Sequence, residues 1–519
     1  MRYLMAIDGG TGSVRAVIFD ADGREIASGQ REWYHLEDPK YPGSMGFDWD
    51  KNFVLVQECI KEALQKATID PKDIAAISST SMREGIVLYD ENKNEIWACA
   101  NVDARSNDEV GELIKQNPDY EKIVYDSSGQ TYALGALPRL LWVKNKEPKI
   151  YEKTRFMTML NDWILFKLGG VLCTEPSNAC TSGIYSLHNR DWNRQLIRDL
   201  GLKDDIFCKT YECGTVVTKV SEEAAKLCGL STETLLVAGG GDAQLGCLGV
   251  GVVEDGQAAV FGGSFWQYEY NTSQCIVDSK CRVRVNCHAV PNMWQFEALA
   301  FMPGLAMRWY RDTFCAEEKA KAKELGVSAY DLLNKEAEKV PAGCNGLMCT
   351  FSDVMNFINW RHAAPSFINF SFNSEEHNKY TFYRAIMENA ALVTRGHLDL
   401  VFESTGKKPN KIIFANGASK SDLWCQIVAD VLGMEVDVPV VKESTALGCA
   451  MLAGVGAGIY NNLSEAGKKF CKIEKTFKPN IENTKIYSEI YTKWRKVYEQ
   501  QLKLADEGLT KHMWIAPGI

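Results

Sequence analysis

Short apolar runs of strand length open the chain and are broken by turns rich in glycine and hydroxyls. They predict three meandering strands near residues 3–8, 14–19 and 25–30. A helix near 50–67 and a strand at 74–79 follow. Residues 105–235 read as helices and insertions, and another apolar strand runs into glycines at 235–242. From about residue 252 a new hairpin begins, with helices near 380–404, 421–432 and 444–457. The stretch 484–508 predicts an amphipathic helix carrying Tyr487, Ile490, Tyr491, Trp494 and Tyr498 on one face. Aromatic stripes of this kind usually pack into a core. The pattern is α/β. At 519 residues the chain is too long for one core and suits two domains of similar size.

The first strand ends in Asp8-Gly9-Gly10-Thr11-Gly12-Ser13-Val14-Arg15. Glycines let the backbone turn sharply and bring N–H groups close to an anion. Thr11 and Ser13 add hydroxyl donors, and Asp8 at the strand end could hold a hydrated Mg²⁺ against phosphate. The same letters also suit an ordinary hairpin turn. Neither a Walker loop nor a Gly-x-Gly-x-x-Gly fingerprint occurs in the chain.

A second strand–turn–strand unit, Phe261-Gly262-Gly263-Ser264-Phe265-Trp266, lies in the other half of the chain. Two such hairpins facing one cleft could grip one triphosphate from both sides. Just before it, Val237-Ala238-Gly239-Gly240-Gly241-Asp242 takes a strand through three glycines to a single acid. Asp242 reads either as a ligand-facing carboxylate or as a helix N-cap. A third unit, Lys411 to Asp430, reads as buried strand, glycine turn and capped helix, with Leu423, Ile427 and Val431 at helical spacing. The small residues from Ala446 to Gly454 permit close helix packing.

In this order the motifs resemble the FGGY family of carbohydrate kinases, within the actin-like ATPase superfamily. Asn416 stands where the family commonly has glycine. Further stretches resemble one subgroup of the family: 81–89, 96–105, 309–318, 363–369, 438–443 and 514–518. The resemblance implies two ribonuclease-H-like domains with an ATP and substrate cleft between them. Residues 1–251 would carry the substrate side, the first hairpin and the catalytic aspartate. Residues 252–519 would carry the second hairpin and the adenosine site.

It also implies the roles. Asp242 is the general base, and Asp8 orients Mg²⁺ through water. Thr11, Gly12 and Ser13 bind phosphate, with Arg15 near the transferred phosphoryl and Ser264 reaching phosphate from the other domain. Gly304, Gly417, Ala418 and Ser421 match adenine-nucleotide positions. Arg83 and Glu84 grip substrate hydroxyls, Asp103 and Arg105 line the same pocket, and Phe265 and Trp266 form an apolar wall beside the reacting carbon. The cosubstrate is ATP and the partner a small polyol or sugar-like acceptor, with a regulatory protein left open.

Bulk properties suit a cytoplasmic metabolic enzyme. Lys and Arg number 58 against 67 Asp and Glu, a net charge of −9 that argues against nucleic acid or anionic membrane as partner. Asp8 interrupts the apolar start, so no signal peptide is expected, and no apolar run is long enough to span a bilayer. Seventeen cysteines are scattered without Cys-x-x-Cys and read as buried reduced thiols rather than a zinc site. Two readings stay open beside the kinase of that subgroup: another sugar or polyol kinase of the family, and a non-catalytic actin-like nucleotide-binding protein.

Overall fold

The computed structural model describes residues 2–133, 135–300, 302–351, 361–441 and 443–516. Two large sheets share one topology. In the first, Tyr3–Gly9, Ser13–Asp20 and Glu25–Glu32 form the antiparallel meander, and Ile74–Ser81 and Leu235–Gly241 extend it in parallel beyond Tyr3–Gly9. In the second, Ala258–Gly262, Trp266–Thr272 and Trp294–Ala300 form the meander, and Lys411–Ala415 and Glu435–Pro439 extend it in parallel. Arg284–Cys287 and Ile473–Phe477 add the two edges of that sheet. In each sheet the parallel strands end toward a crevice, where ligands of open α/β sheets bind.

The predicted helices appear as Trp49–Ala67, Lys379–Thr405, Asp422–Leu432, Ser444–Gly456 and Ile481–Asp506. Tyr487, Trp494 and Tyr498 are buried, and Ile490 and Tyr491 pack against the same core. The small-residue helix does pack closely. A Cβ on Gly448 would meet the Leu245 carbonyl at 1.9 Å, and one on Gly249 the Ser444 carbonyl at 1.8 Å. Ser444–Gly456 thus lies against Asp242–Gly249, and its apolar face joins Leu4, Ala6 and Val237 of the first sheet. Conversely, Cys247 at the end of Asp242–Gly249 clusters with Ala259, Phe261 and Ile413 of the second. Each half lends a helix to the other, which ties the turn at Asp242 to both sheets.

All seventeen cysteines are unpaired, and fifteen of them are buried. Pro517 and Gly518, at the end of one stretch of resemblance, lie outside the described residues, as does Lys442 within another.

Candidate active site

The first hairpin carries a charged pair. Asp8 and Arg15 face each other across the two strands, and Arg15 donates to Asp8 Oδ2 from Nε at 3.0 Å and from Nη2 at 2.8 Å. Its remaining Nη1 bonds Glu443, at the start of the helix Ser444–Gly456. Burial opposes the Arg15 charge, yet Asp8 and Glu443 together hold its pKa above the ordinary value. Sequence reading missed Glu443 as a member of the site. The turn itself is open: Thr11 and Gly12 are exposed, and a Cβ on Gly12 would touch nothing. Packing therefore does not demand glycine there, whereas close approach of a phosphate would.

Asp242 follows the strand Leu235–Gly241 as the first residue of its helix, with Gly241 at the N-cap. The preceding glycines are steric necessities. A Cβ on Gly239 would fall 1.6 Å from the Ser79 carbonyl, and one on Gly241 2.9 Å from Arg83 Cδ. The Gly241 N–H donates to Ser177 Oγ at 3.0 Å, which fixes the turn. Asp242 Oδ1 accepts from the Ala243 N–H at 2.8 Å and lies 3.2 Å from Arg83 Nε. Its side chain keeps 42% exposure toward the cleft although protein surrounds the carboxyl on the other sides. That enclosure raises its pKa, Arg83 and the Ala243 N–H oppose the rise, and Asp8 and Glu297 add to it. The result is an ionisable base at the mouth of the crevice.

Arg83 and Glu84 sit just beyond the strand Ile74–Ser81, and both are held by the second sheet. Arg83 forms a two-pronged pair with Glu297, with Nη2 at 2.7 Å from Oε1. Glu84 Oε1 accepts from Arg284 Nη2 at 2.6 Å. Burial opposes ionisation of Glu297, but Arg83 and Arg284 bring its pKa down to about 2. Arg139 donates to the backbone carbonyls of Glu84 and, at 2.6 Å, Asn101. Arg139, Arg284 and Glu297 were not foreseen. For Arg284 and Glu297 the signal was available as polar residues at alternate positions in apolar strands: Gln267, Glu269 and Asn271, Gln295 and Glu297, Arg284 and Asn286.

Two expectations are corrected. Asp103 does not present its carboxylate to the cleft: the side chain is wholly buried, pairs with Arg105 at 2.7 Å and accepts from the Met45 N–H at 2.7 Å. Arg105 lies against the rings of Trp97 and Trp142. Trp266 is no substrate wall either. Strand alternation turns it to the face covered by the helix Lys379–Thr405, where it is fully buried, donates to Thr394 Oγ1 at 2.8 Å and stacks on Trp424. Phe265, one residue before, is exposed.

The residues of the second half expected to hold nucleotide converge. Ser264, Gly304, Gly417, Ala418 and Ser421 line one cavity of about 320 Å³, with Tyr383 and Trp424 among its walls. A Cβ on Gly304 would meet the Gly263 carbonyl at 2.1 Å, so glycine lets this helix start against the second hairpin. Asn416 takes φ +74° and ψ −160°, a backbone region essentially reserved for glycine, so the turn is kept there with an asparagine in a strained conformation. Ser421 caps the helix Asp422–Leu432 by accepting from the Trp424 N–H at 3.2 Å. A smaller space of about 110 Å³ joins Asp242 to Gln267, Asn416 and Thr445 across the crevice. A larger groove, about 990 Å³ beside the helix Asn107–Gln116, contains none of these residues.

Among the described residues no three or more His, Cys, Asp or Glu side chains gather into a metal cluster. Mg²⁺ at a phosphoryl-transfer site asks for less, since one or two carboxylates, phosphate oxygens and waters complete its shell. The Asp8 carboxylate behind the first hairpin's turn fits that donor set.

Comparison with known proteins agrees with this geometry. Residues 3–249 match the N-terminal domain of the FGGY family of carbohydrate kinases, and residues 269–457 match its C-terminal domain. The chain is 51% identical over 518 residues to an autoinducer-2 kinase of Salmonella typhimurium (strain LT2), covering 100% of this chain and 98% of that one. It is 50% identical, with the same coverage, to an autoinducer-2 kinase of Escherichia coli (strain K12). The fold matches a xylulose kinase from Lactobacillus acidophilus with TM-score 0.86 at 22% identity, covering 97% of this chain and 99% of the other. Plasmodium falciparum glycerol kinase with ADP gives 0.83 at 17% identity, covering 97% and 98%. With both domain matches in order along one chain, and identity of this depth over its full length, the protein belongs to the FGGY family of carbohydrate kinases.

Proposed function

We propose that this protein is an autoinducer-2 kinase. It transfers the γ-phosphoryl group of ATP to the C5 hydroxyl of linear 4,5-dihydroxy-2,3-pentanedione, the open form of the quorum-sensing signal. The observation that carries the proposal is the 51% identity to autoinducer-2 kinases over essentially the whole chain. A division near residue 251 is our reading of the two halves, and the cytosol, where ATP is available, is our reading of the location. Among the described residues no helix is long and apolar enough to cross a membrane.

Phosphoryl transfer asks mainly for positioning and charge stabilisation. In this reading ATP lies with adenosine in the 320 Å³ cavity and its phosphates between the turns at Thr11–Ser13 and Ser264. Arg15 leaves its partners Asp8 and Glu443 to meet the transferred phosphoryl group. Asp8 would hold Mg²⁺, which when bound would neutralise phosphate charge. Arg83 and Glu84 offer donors and acceptors to the acceptor's oxygens. Asp242 takes the proton of the attacking hydroxyl, and Arg83, 3.2 Å away, keeps that carboxylate ionised until it does so. A primary hydroxyl is the least hindered attacker on a phosphoryl held in line.

The test is ATP consumption with the dione beside xylulose, ribulose and glycerol. The dione is expected to give the highest kcat/KM. A higher value for any of the other three overturns the substrate while leaving a sugar kinase. ATP turnover that ignores every acceptor favours a nucleotide-binding protein without kinase activity.

A further inference from the structure

The second sheet turns an unusual face toward the substrate side. Its strands Trp266–Thr272, Trp294–Ala300 and Arg284–Cys287 pair in register, so Glu269, Glu297 and Arg284 stand in one row across three strands. Directly opposed residues on paired strands share a face. This row is almost entirely buried. An ion-paired array withdrawn from water is weak evidence for stability, because burial of the charges offsets their attraction. It calls for another reason.

Glu84 supplies one. Its φ of +71° is a conformation that a non-glycine residue keeps only when its surroundings over-determine it. The surroundings do so from both ends. Arg139 holds its backbone carbonyl, and Arg284 holds its carboxylate at 2.6 Å. Arg284 is itself aimed by Gln130 Oε1 at 2.7 Å and by Glu297 at 3.5 Å, and Glu297 grips Arg83 with its other contacts.

We infer that Arg284 is a positioning residue for the acceptor. From the second sheet it fixes the direction of Glu84 on the first, so acceptor recognition depends on contact between the two halves. This rests on the proposed place of Glu84 in the acceptor pocket. Arg284 touches neither ATP nor the reacting hydroxyl and works only through Glu84. Lysine cannot replace it fully, because a point charge lacks the fork that reaches Gln130 and Glu84 together.

The experiment is a double-mutant cycle in the full chain with the dione and ATP, measuring both KM values and kcat for Glu84→Gln, Arg284→Gln and the double variant. Arg284→Gln is expected to raise the acceptor KM roughly tenfold while the ATP KM stays within about twofold. The double variant is expected to be no worse than the more damaged single variant. Arg284→Lys, which keeps the buried charge, is expected to recover part of the acceptor KM. It also carries the test if Arg284→Gln does not fold, in which case its own acceptor KM must rise above wild type. Unchanged acceptor KM in an active, folded Arg284 variant overturns the inference, as does a double effect equal to the product of the singles. Glu84→Gln without kinetic effect overturns the pocket reading and the inference together. A Glu84 effect with an inert Arg284 overturns only the inference.

Discussion

The two glycine hairpins share a turn and differ in what stands behind it. In the first, the pair one step from the turn is Asp8 and Arg15. At the corresponding step of the second, the pair is Phe261 and Gln267. Between Asp8–Arg15 and its far end at Tyr3–Asp20, the first strand pair is apolar and buried on both faces. The second has one aromatic face, with Trp266, Tyr268 and Tyr270, and one polar face, with Gln267, Glu269 and Asn271. The comparison separates two tasks that the glycine turn alone does not distinguish. In the function we propose, the first hairpin serves the metal and the transferred phosphoryl and the second meets ATP through Ser264; the polar face of the second includes Glu269, in register with Glu297, which pairs with Arg83.

If the charge chemistry belongs to the first hairpin, breaking each should cost different amounts. Asp8→Asn is expected to lower kcat by about 10²–10³-fold, the scale of losing one electrostatic element aimed at the reacting charge. An effect below about fivefold would contradict its role. Ser264→Ala is expected to be milder, raising the ATP KM up to about tenfold by removing one hydrogen bond to a charged group, with the acceptor KM unchanged. If Ser264→Ala proved the more damaging of the two, the division of labour would be reversed.

The smallest effect is expected at Glu269. Both its carboxyl oxygens lack a hydrogen-bond partner, and burial beside Glu297 raises its pKa well above the ordinary value. Burial and the neighbouring Glu297 charge thus favour its protonated form, against the pull of Arg83 and Arg284. Glu269→Gln should leave the melting temperature and kcat near wild type, measured by thermal unfolding and steady-state assay. A large loss in either would mean that Glu269 carries a charge the network needs.

Much of this was legible in the chain. The meander, the long helices and the aromatic face around Trp494 follow from hydrophobic spacing. Asp8 and Asp242 follow from carboxylates placed beside glycines that the fold turns out to require, as at Gly239 and Gly241. The second sheet was less legible. Alternation in Trp266–Thr272 says that Trp266 and Glu269 lie on opposite faces, but not which face meets the cleft, because both are buried. Placing the tryptophan there followed the habit that apolar faces line substrates. Arg284 and Glu297 escaped notice because each gains meaning only from Glu84 and Arg83, about two hundred residues earlier in the chain. Asp103 misled for a local reason: its partner Arg105 is two residues away and draws the carboxylate inward.

The central claim is that Asp242 activates a hydroxyl of the dione for attack on ATP. The most direct measurement is ³¹P and ¹³C NMR of the product formed by wild type and by Asp242→Asn, with ATP binding measured on both proteins. Wild type should yield a phosphate monoester at C5. Asp242→Asn should bind ATP as well and form that product about 10²–10⁴-fold more slowly. Phosphate on another carbon, or near-normal product formation by the folded variant, would contradict the account.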